Sequence, residues 1–125
     1  MKNAVVLIVE DEALIRQSAV QIVEDAGYTA LEACNADEAV MFLESRSDIA
    51  AVFTDIKMPG SMDGLTLAHA VRARWAPIHL IVTSGTNVQG ELPANSRFMH
   101  KPYSARHVTT ALSELFSSHQ LPTDS

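Results

Sequence analysis

Two kinds of apolar pattern alternate along this chain: short unbroken runs, and longer stretches in which apolar residues return every third or fourth position. Val5 to Val9 is an unbroken run, which predicts a strand covered on both faces, since a half-solvated strand would alternate. From about Glu12 to Ala26, the residues Ile15, Ala19, Ile22, Val23 and Ala26 recur at helical spacing, and Gly27 supplies a left-handed stop. Tyr28 to Ala33 predicts a second strand. Asn35 and Glu38 have the spacing of a capping box, with Asn35 accepting from the first turn and Glu38 reaching back, so a second helix opens there and runs to about Ser45. Ile49 to Asp55 predicts a third strand, closed off by Pro59 and Gly60. A third helix is expected from about Asp63 to Trp75, with Leu65, Ala68, Val71 and Trp75 on one side and Pro77 ending it. Ile78 to Val82 and, more weakly, Arg97 to His100 predict two further strands. A final helix from Ser104 to Ser117 turns Val108, Ala111, Leu112 and Leu115 inward, and a polar tail follows.

Five strands alternating with helices imply an α/β fold, a parallel sheet wrapped on both faces. Right-handed crossovers leave few topologies, and the doubly wound, flavodoxin-like order 2-1-3-4-5 puts strands 1 and 3 side by side at the centre. Ligands of such sheets bind at the carboxyl ends of the strands. Glu10 and Asp11 follow strand 1, Asp55 ends strand 3, Thr83 and Ser84 end strand 4, and Lys101 follows strand 5. Three carboxylates, a hydroxyl and an ammonium are thereby expected on one rim.

Composition narrows the class. A chain of 125 residues fits one domain with a core of its own. No apolar run approaches the ~20 residues needed to cross a bilayer, and the start Met1-Lys2-Asn3 leads directly into the first strand, without signal-peptide organisation. A soluble, cytoplasmic protein is the expectation. The single cysteine, Cys34, fits a reducing compartment and is expected to be a small packed residue near a strand end. A net charge of −6 with nine scattered basic residues argues against nucleic-acid binding, which needs clustered Lys and Arg. His69, His79, His107 and His119 lack metal-ligand spacing and read as surface or packing residues; His100 reads as an alternating strand residue, and Trp75 as helix-end packing.

Taken by itself, Glu10-Asp11-Glu12 is a solvated acidic helix start. Beside Asp55 and Lys101 it becomes a pocket of oxygen donors, which suits a hard cation such as Mg²⁺. A cation there would draw in phosphate, with Lys101 and the Thr83 hydroxyl available for other phosphoryl oxygens. Asp55, central and at a strand tip, is the candidate nucleophile, and carboxylate attack on phosphorus gives an acyl phosphate.

The segments Leu7 to Glu12, Phe53 to Pro59, Met62 to Leu65, Val82 to Gly85 and Lys101 to Tyr103 together resemble the receiver domain of bacterial response regulators, over about residues 4 to 117. The chemotaxis receiver of that family has the 2-1-3-4-5 order. The resemblance implies that Asp55 accepts phosphate from a histidine kinase or a histidine phosphotransfer protein. It implies Mg²⁺ held by Asp11 and Asp55 directly, by Glu10 through water and by the Lys57 backbone carbonyl. Lys101 would pair with the phosphoryl group, Thr83 would swing in to bond it, and Phe98 would turn into the space Thr83 vacates. The Lys101-Pro102 bond is implied to be cis. Ile15, one turn into the first helix, is open to two readings, core packing or docking against a kinase helix.

Three departures from the family pattern stand out. Ser61 lengthens the loop after Asp55, and Lys57 and Gly85 occupy positions that tune hydrolysis of the phosphate. Gly85, Gly90 and Pro93 interrupt the stretch where the family has its fourth helix, which predicts a short, shifted or mobile helix there and puts dimerisation by that surface in question. The expected protein is a phosphorylatable switch with residues 1–117 as receiver and 118–125 as mobile tail, monomeric or weakly dimeric, acting on a protein effector rather than on a small-molecule substrate. A single-domain regulator is favoured by the Met1 start and short tail. The alternatives are an N-terminal fragment of a larger regulator, a pseudo-receiver that only binds partners, and an aspartyl-phosphate phosphatase of the haloacid-dehalogenase type. The last calls for a second Asp two residues after the nucleophile, where this chain has Lys57.

Overall fold

The structure, a computed structural model, describes residues 4–58, 60, 62–85 and 90–118. Five parallel strands, β1 (Val5–Val9), β2 (Thr29–Ala33), β3 (Ile49–Asp55), β4 (His79–Ser84) and β5 (Ser96–His100), form one sheet in the order β2-β1-β3-β4-β5. Four helices, α1 (Ala13–Asp25), α2 (Ala36–Ser45), α3 (Gly64–Arg74) and α4 (Ala105–Ser118), complete the described elements. The expectations about Pro59, Ser61, residues 86–89, His119 and the tail beyond it fall outside the described residues. Between β4 and β5, the described residues 90–95 are not helical.

The unbroken apolar runs follow from burial on both faces. Along β1, Leu7 and Val9 join a core with α2 and α3, through Ala39, Leu43, Leu67 and Val71. Val6 and Ile8 join a second core with α1 and α4, through Ala19, Val23, Val108 and Leu112. On β3 the alternation is interrupted. The pairing with β1 shifts between Val5↔Ile49 and Val6↔Ala51, so Ala50 is an extra residue that lets Ile49 and Val52 face the same core.

Local signals set most helix ends. Asn35 Oδ1 accepts from Glu38 N at 2.8 Å, and Asp63 caps α3 by accepting from Thr66 N at 2.8 Å. Gly27, at φ +99°, follows the last turn of α1 as the left-handed stop. The capping box differs in one half, because Glu38 Oε1 accepts from Cys34 N at 2.8 Å rather than from Asn35. Three packing expectations need correction. With Asp63 as the cap, the face of α3 against the sheet is Gly64, Leu67, Ala68 and Val71, and Leu65 is only partly buried. On α4, Phe116 is buried and Leu115 only partly so. Cys34 is exposed, just past the end of the edge strand β2, so it is not a packed residue. Trp75 packs at the end of α3 as expected, with the Arg74 guanidinium 4.2 Å from its ring centre. No described helix is long and apolar enough to cross a membrane.

Candidate functional site

The carboxyl ends of β1 and β3 adjoin, and Glu10 leaves β1 with every polar group engaged. Its N–H donates to Ala33 O at 3.1 Å, and its carbonyl accepts from Arg16 Nη1 at 2.9 Å. Its Oε2 accepts from Glu12 N at 3.1 Å and its Oε1 from Lys101 Nζ at 3.0 Å. Asp55 ends β3 in register with Thr83 of β4, and Ile56 N donates to Thr83 O at 2.9 Å. The chain after Asp55 then returns to α3, where Gly64 N donates to Ile56 O at 2.7 Å. A side chain at position 64 has no room: an added Cβ would lie 1.6 Å from the Asp55 carbonyl oxygen.

Lys101 reaches the rim from β5. Its N–H donates to Ser84 O at 2.9 Å, the bond to Pro102 is cis, and its Nζ donates to Asp55 Oδ2 at 2.8 Å as well as to Glu10. Burial alone would push the Lys101 ammonium down, but its bonds to Asp55 and Glu10 outweigh that and hold it above the usual range. Burial raises the Glu10 carboxyl, against the lowering effect of the Glu12 amide and Lys101. Both carboxylates of this pair are nearly inaccessible to solvent. An ammonium shared between them is what allows two buried acids to sit side by side.

Glu10, Asp11 and Asp55 each present a carboxylate oxygen, and these oxygens lie within 4.8 Å of one another. Three carboxylates against one ammonium leave the cluster short of positive charge, and a donor set made only of oxygen fits Mg²⁺. Asp11 is half-buried and Lys57 exposed. Thr83 is buried beside Asp55, on the wall of a small cavity it shares with Glu10, Ala19, Phe53 and Tyr103. Phe98 pairs with Val82 rather than Thr83 and is partly buried against the core on that face of the sheet, with its ring edge-on to His100 at 4.8 Å.

Ile15 is half-buried, and with Leu14, Ser18, Lys101, Pro102 and Tyr103 it lines a groove of about 500 Å³. Leu14, which the helical pattern of α1 leaves on the outer side, is 81% exposed at that groove. Three neighbours of the rim escaped the sequence reading. Arg16 looks like a surface helix residue until the fold brings it to Glu10; Tyr103, whose hydroxyl burial pushes up, packs on Phe53 at 5.5 Å. Gly64 lies within the Met62 to Leu65 segment, and its lack of a side chain is what the close approach requires.

The family model of the response regulator receiver domain matches residues 6–113. The sensor kinase CckA of Brucella abortus is 34% identical over 119 residues, covering 90% of this chain and 12% of that protein. The transcriptional regulatory protein ResD of Bacillus subtilis is 33% identical over 115 residues, covering 88% of this chain and 47% of that protein. The chain thus spans less than half the length of either, and the activities in their names attach to those longer proteins. Among solved structures, a CheY-like response regulator receiver domain protein from Methanospirillum hungatei superposes with a TM-score of 0.85 at 25% identity, covering 93% of this chain and 95% of that one.

Proposed function

Because the chain belongs to the response regulator receiver family, we propose that Asp55 is its phosphoacceptor, phosphorylated by a histidine kinase or a histidine phosphotransfer protein. The family is one of regulatory phosphoacceptor switches, and the observation that carries the residue assignment is the rim itself. Asp55 sits at the central strand tip with Lys101 Nζ 2.8 Å from Oδ2, and with Glu10 and Asp11 oxygens within 4.8 Å. In the transfer, a lone pair on an Asp55 carboxylate oxygen attacks phosphorus. An O–P bond forms, the N–P bond of the phosphohistidine breaks, and its electron pair returns to the imidazole nitrogen.

Lys101, already facing the acceptor, holds a phosphoryl oxygen and offsets the added charge. Glu10, Asp11, Asp55 and the Lys57 backbone carbonyl are the groups that would hold Mg²⁺. When bound, that ion supplies neutralisation of the phosphoryl charge. Water attack on the aspartyl phosphate, releasing inorganic phosphate, returns Asp55 to the carboxylate. Thr83, beside Asp55, would bond the phosphoryl group, and Phe98 on the neighbouring strand would move in response. The receiver unit is proposed to span residues 1–117 and to signal through a protein effector, as a monomer or weak dimer in the cytoplasm. The groove at Leu14 and Ile15, contiguous with Lys101, suits the apolar face of the partner helix that delivers the phosphohistidine.

Two variants test the roles. Asp11→Ala is expected to weaken Mg²⁺ binding by roughly 10-fold or more, because one of three anionic donors is lost; calorimetric titration measures this, and unchanged affinity would count against the pocket. Thr83→Ala is expected to keep phosphorylation by acetyl phosphate while blunting the amide chemical-shift response of β4 and β5 to beryllofluoride. Loss of phosphorylation in that variant would mean that Thr83 has been given the wrong role.

A further inference from the structure

We propose that Arg16 is a positioning residue that aims Asp11 into the metal pocket by holding the peptide plane between Glu10 and Asp11. This rests on the Mg²⁺ reading above. Arg16 is fixed in the first turn of α1, where its N–H donates to Glu12 O at 2.9 Å. Its guanidinium reaches back with Nη1 to the Glu10 carbonyl at 2.9 Å and with Nε to Glu32 Oε1 at 3.1 Å. The Arg16 side chain is only 18% exposed, and its bond to the Glu10 carbonyl is partly buried, whereas the bond to Glu32 lies at the surface. One rigid fork therefore ties the end of β1 to the edge strand β2, a geometry that a lysine's single ammonium does not reproduce.

The carbonyl oxygen of Glu10 and the N–H of Asp11 lie in one planar unit. Fixing the oxygen fixes the rotation of that plane, and with it the direction in which Asp11 projects from the backbone. Among the described residues the Asp11 carboxylate makes no hydrogen bond, so its aim rests on the direction in which the backbone presents it and on the rotamers that direction allows. Glu10 differs in that both of its carboxylate oxygens are held, by the Glu12 amide and by Lys101. Arg16 thus acts on the pocket carboxylate that no described residue holds by a hydrogen bond.

Charge and positioning predict opposite results. A cation next to an acidic pocket repels Mg²⁺, so if charge were the whole role, removing it would tighten binding. If Arg16 positions Asp11, removing it loosens binding in spite of the lost repulsion. Arg16→Gln and Arg16→Lys separate the two, with Mg²⁺ affinity of the full chain measured by calorimetric titration and thermal unfolding measured alongside. Arg16→Gln is expected to bind Mg²⁺ about 10-fold more weakly, the scale typical of residues that orient a metal ligand. Arg16→Lys, which loses the fork and keeps the repulsive charge, is expected to bind at least as weakly as Arg16→Gln, with both variants fully folded at the assay temperature. Equal or tighter binding by Arg16→Gln would overturn the proposal, as would weaker binding found only where the variant is partly unfolded. A wild-type chain that takes up no Mg²⁺ would overturn the metal reading first, and this inference with it. That outcome is distinguished by the wild-type titration alone.

Discussion

Gly64→Ala is expected to destabilise the protein by about 3 kcal/mol or more, the upper end of what single substitutions do. The added Cβ would meet the Asp55 carbonyl oxygen at 1.6 Å, its carbon at 2.7 Å and the Ile56 Cα at 2.9 Å. All three are backbone atoms, so no side chain can swing away to relieve the overlap. Either α3 must start elsewhere, which sacrifices the Asp63 cap and the Gly64 to Ile56 hydrogen bond, or the end of β3 must move. The second course displaces Asp55, the proposed acceptor, so phosphorylation should slow as well. Thermal unfolding is the check, with a fall of roughly 10 °C or more for a domain of this size. A variant within about 1 kcal/mol of wild type would mean that the close approach of α3 to the acceptor strand is not as drawn.

Much of this architecture could be read from the chain because the forces that set it are local or repetitive. A strand buried on both faces has to be apolar at every position, so Val5 to Val9 and Leu80 to Val82 stand out even in a single sequence. The cap at Asn35 acts within three residues of itself. The rim was legible because a parallel sheet collects its strand ends on one side, which brings Lys101 to Asp55 across 46 positions of sequence. What escaped depends on contacts that no local pattern encodes. Whether Leu65 or Leu67 faces the core is decided by where α3 starts, and its cap places Leu67 inward. The exposure of Cys34 reflects an edge strand ending in solvent. The role of Arg16 appears only when the first turn of α1 folds back over the end of β1.

Asp55→Asn is expected to abolish phosphoryl transfer to this chain while leaving the fold in place. The amide nearly matches the carboxylate in shape, and its oxygen can still accept from Lys101 where Asp55 Oδ2 does at 2.8 Å. Loss of the ion pair to Lys101 and relief of the repulsion from Glu10 act in opposite directions, so stability should shift by no more than about 1 kcal/mol. Nucleophilicity has no such compensation, because the amide oxygen has no negative charge to offer phosphorus. The other acids of the rim do not substitute. Both Glu10 oxygens are engaged, by Lys101 and the Glu12 amide, and Asp11 is proposed to hold the cation.

The central claim is tested most directly by the intact mass of the protein after incubation with acetyl phosphate, with and without Mg²⁺, alongside Asp55→Asn. One added phosphoryl group, dependent on Mg²⁺ and missing from the variant, is the predicted result. An adduct that survives the substitution would contradict the assignment of Asp55. So would the lack of any adduct on a wild-type chain that does bind beryllofluoride, once rapid hydrolysis has been excluded by sampling at early times.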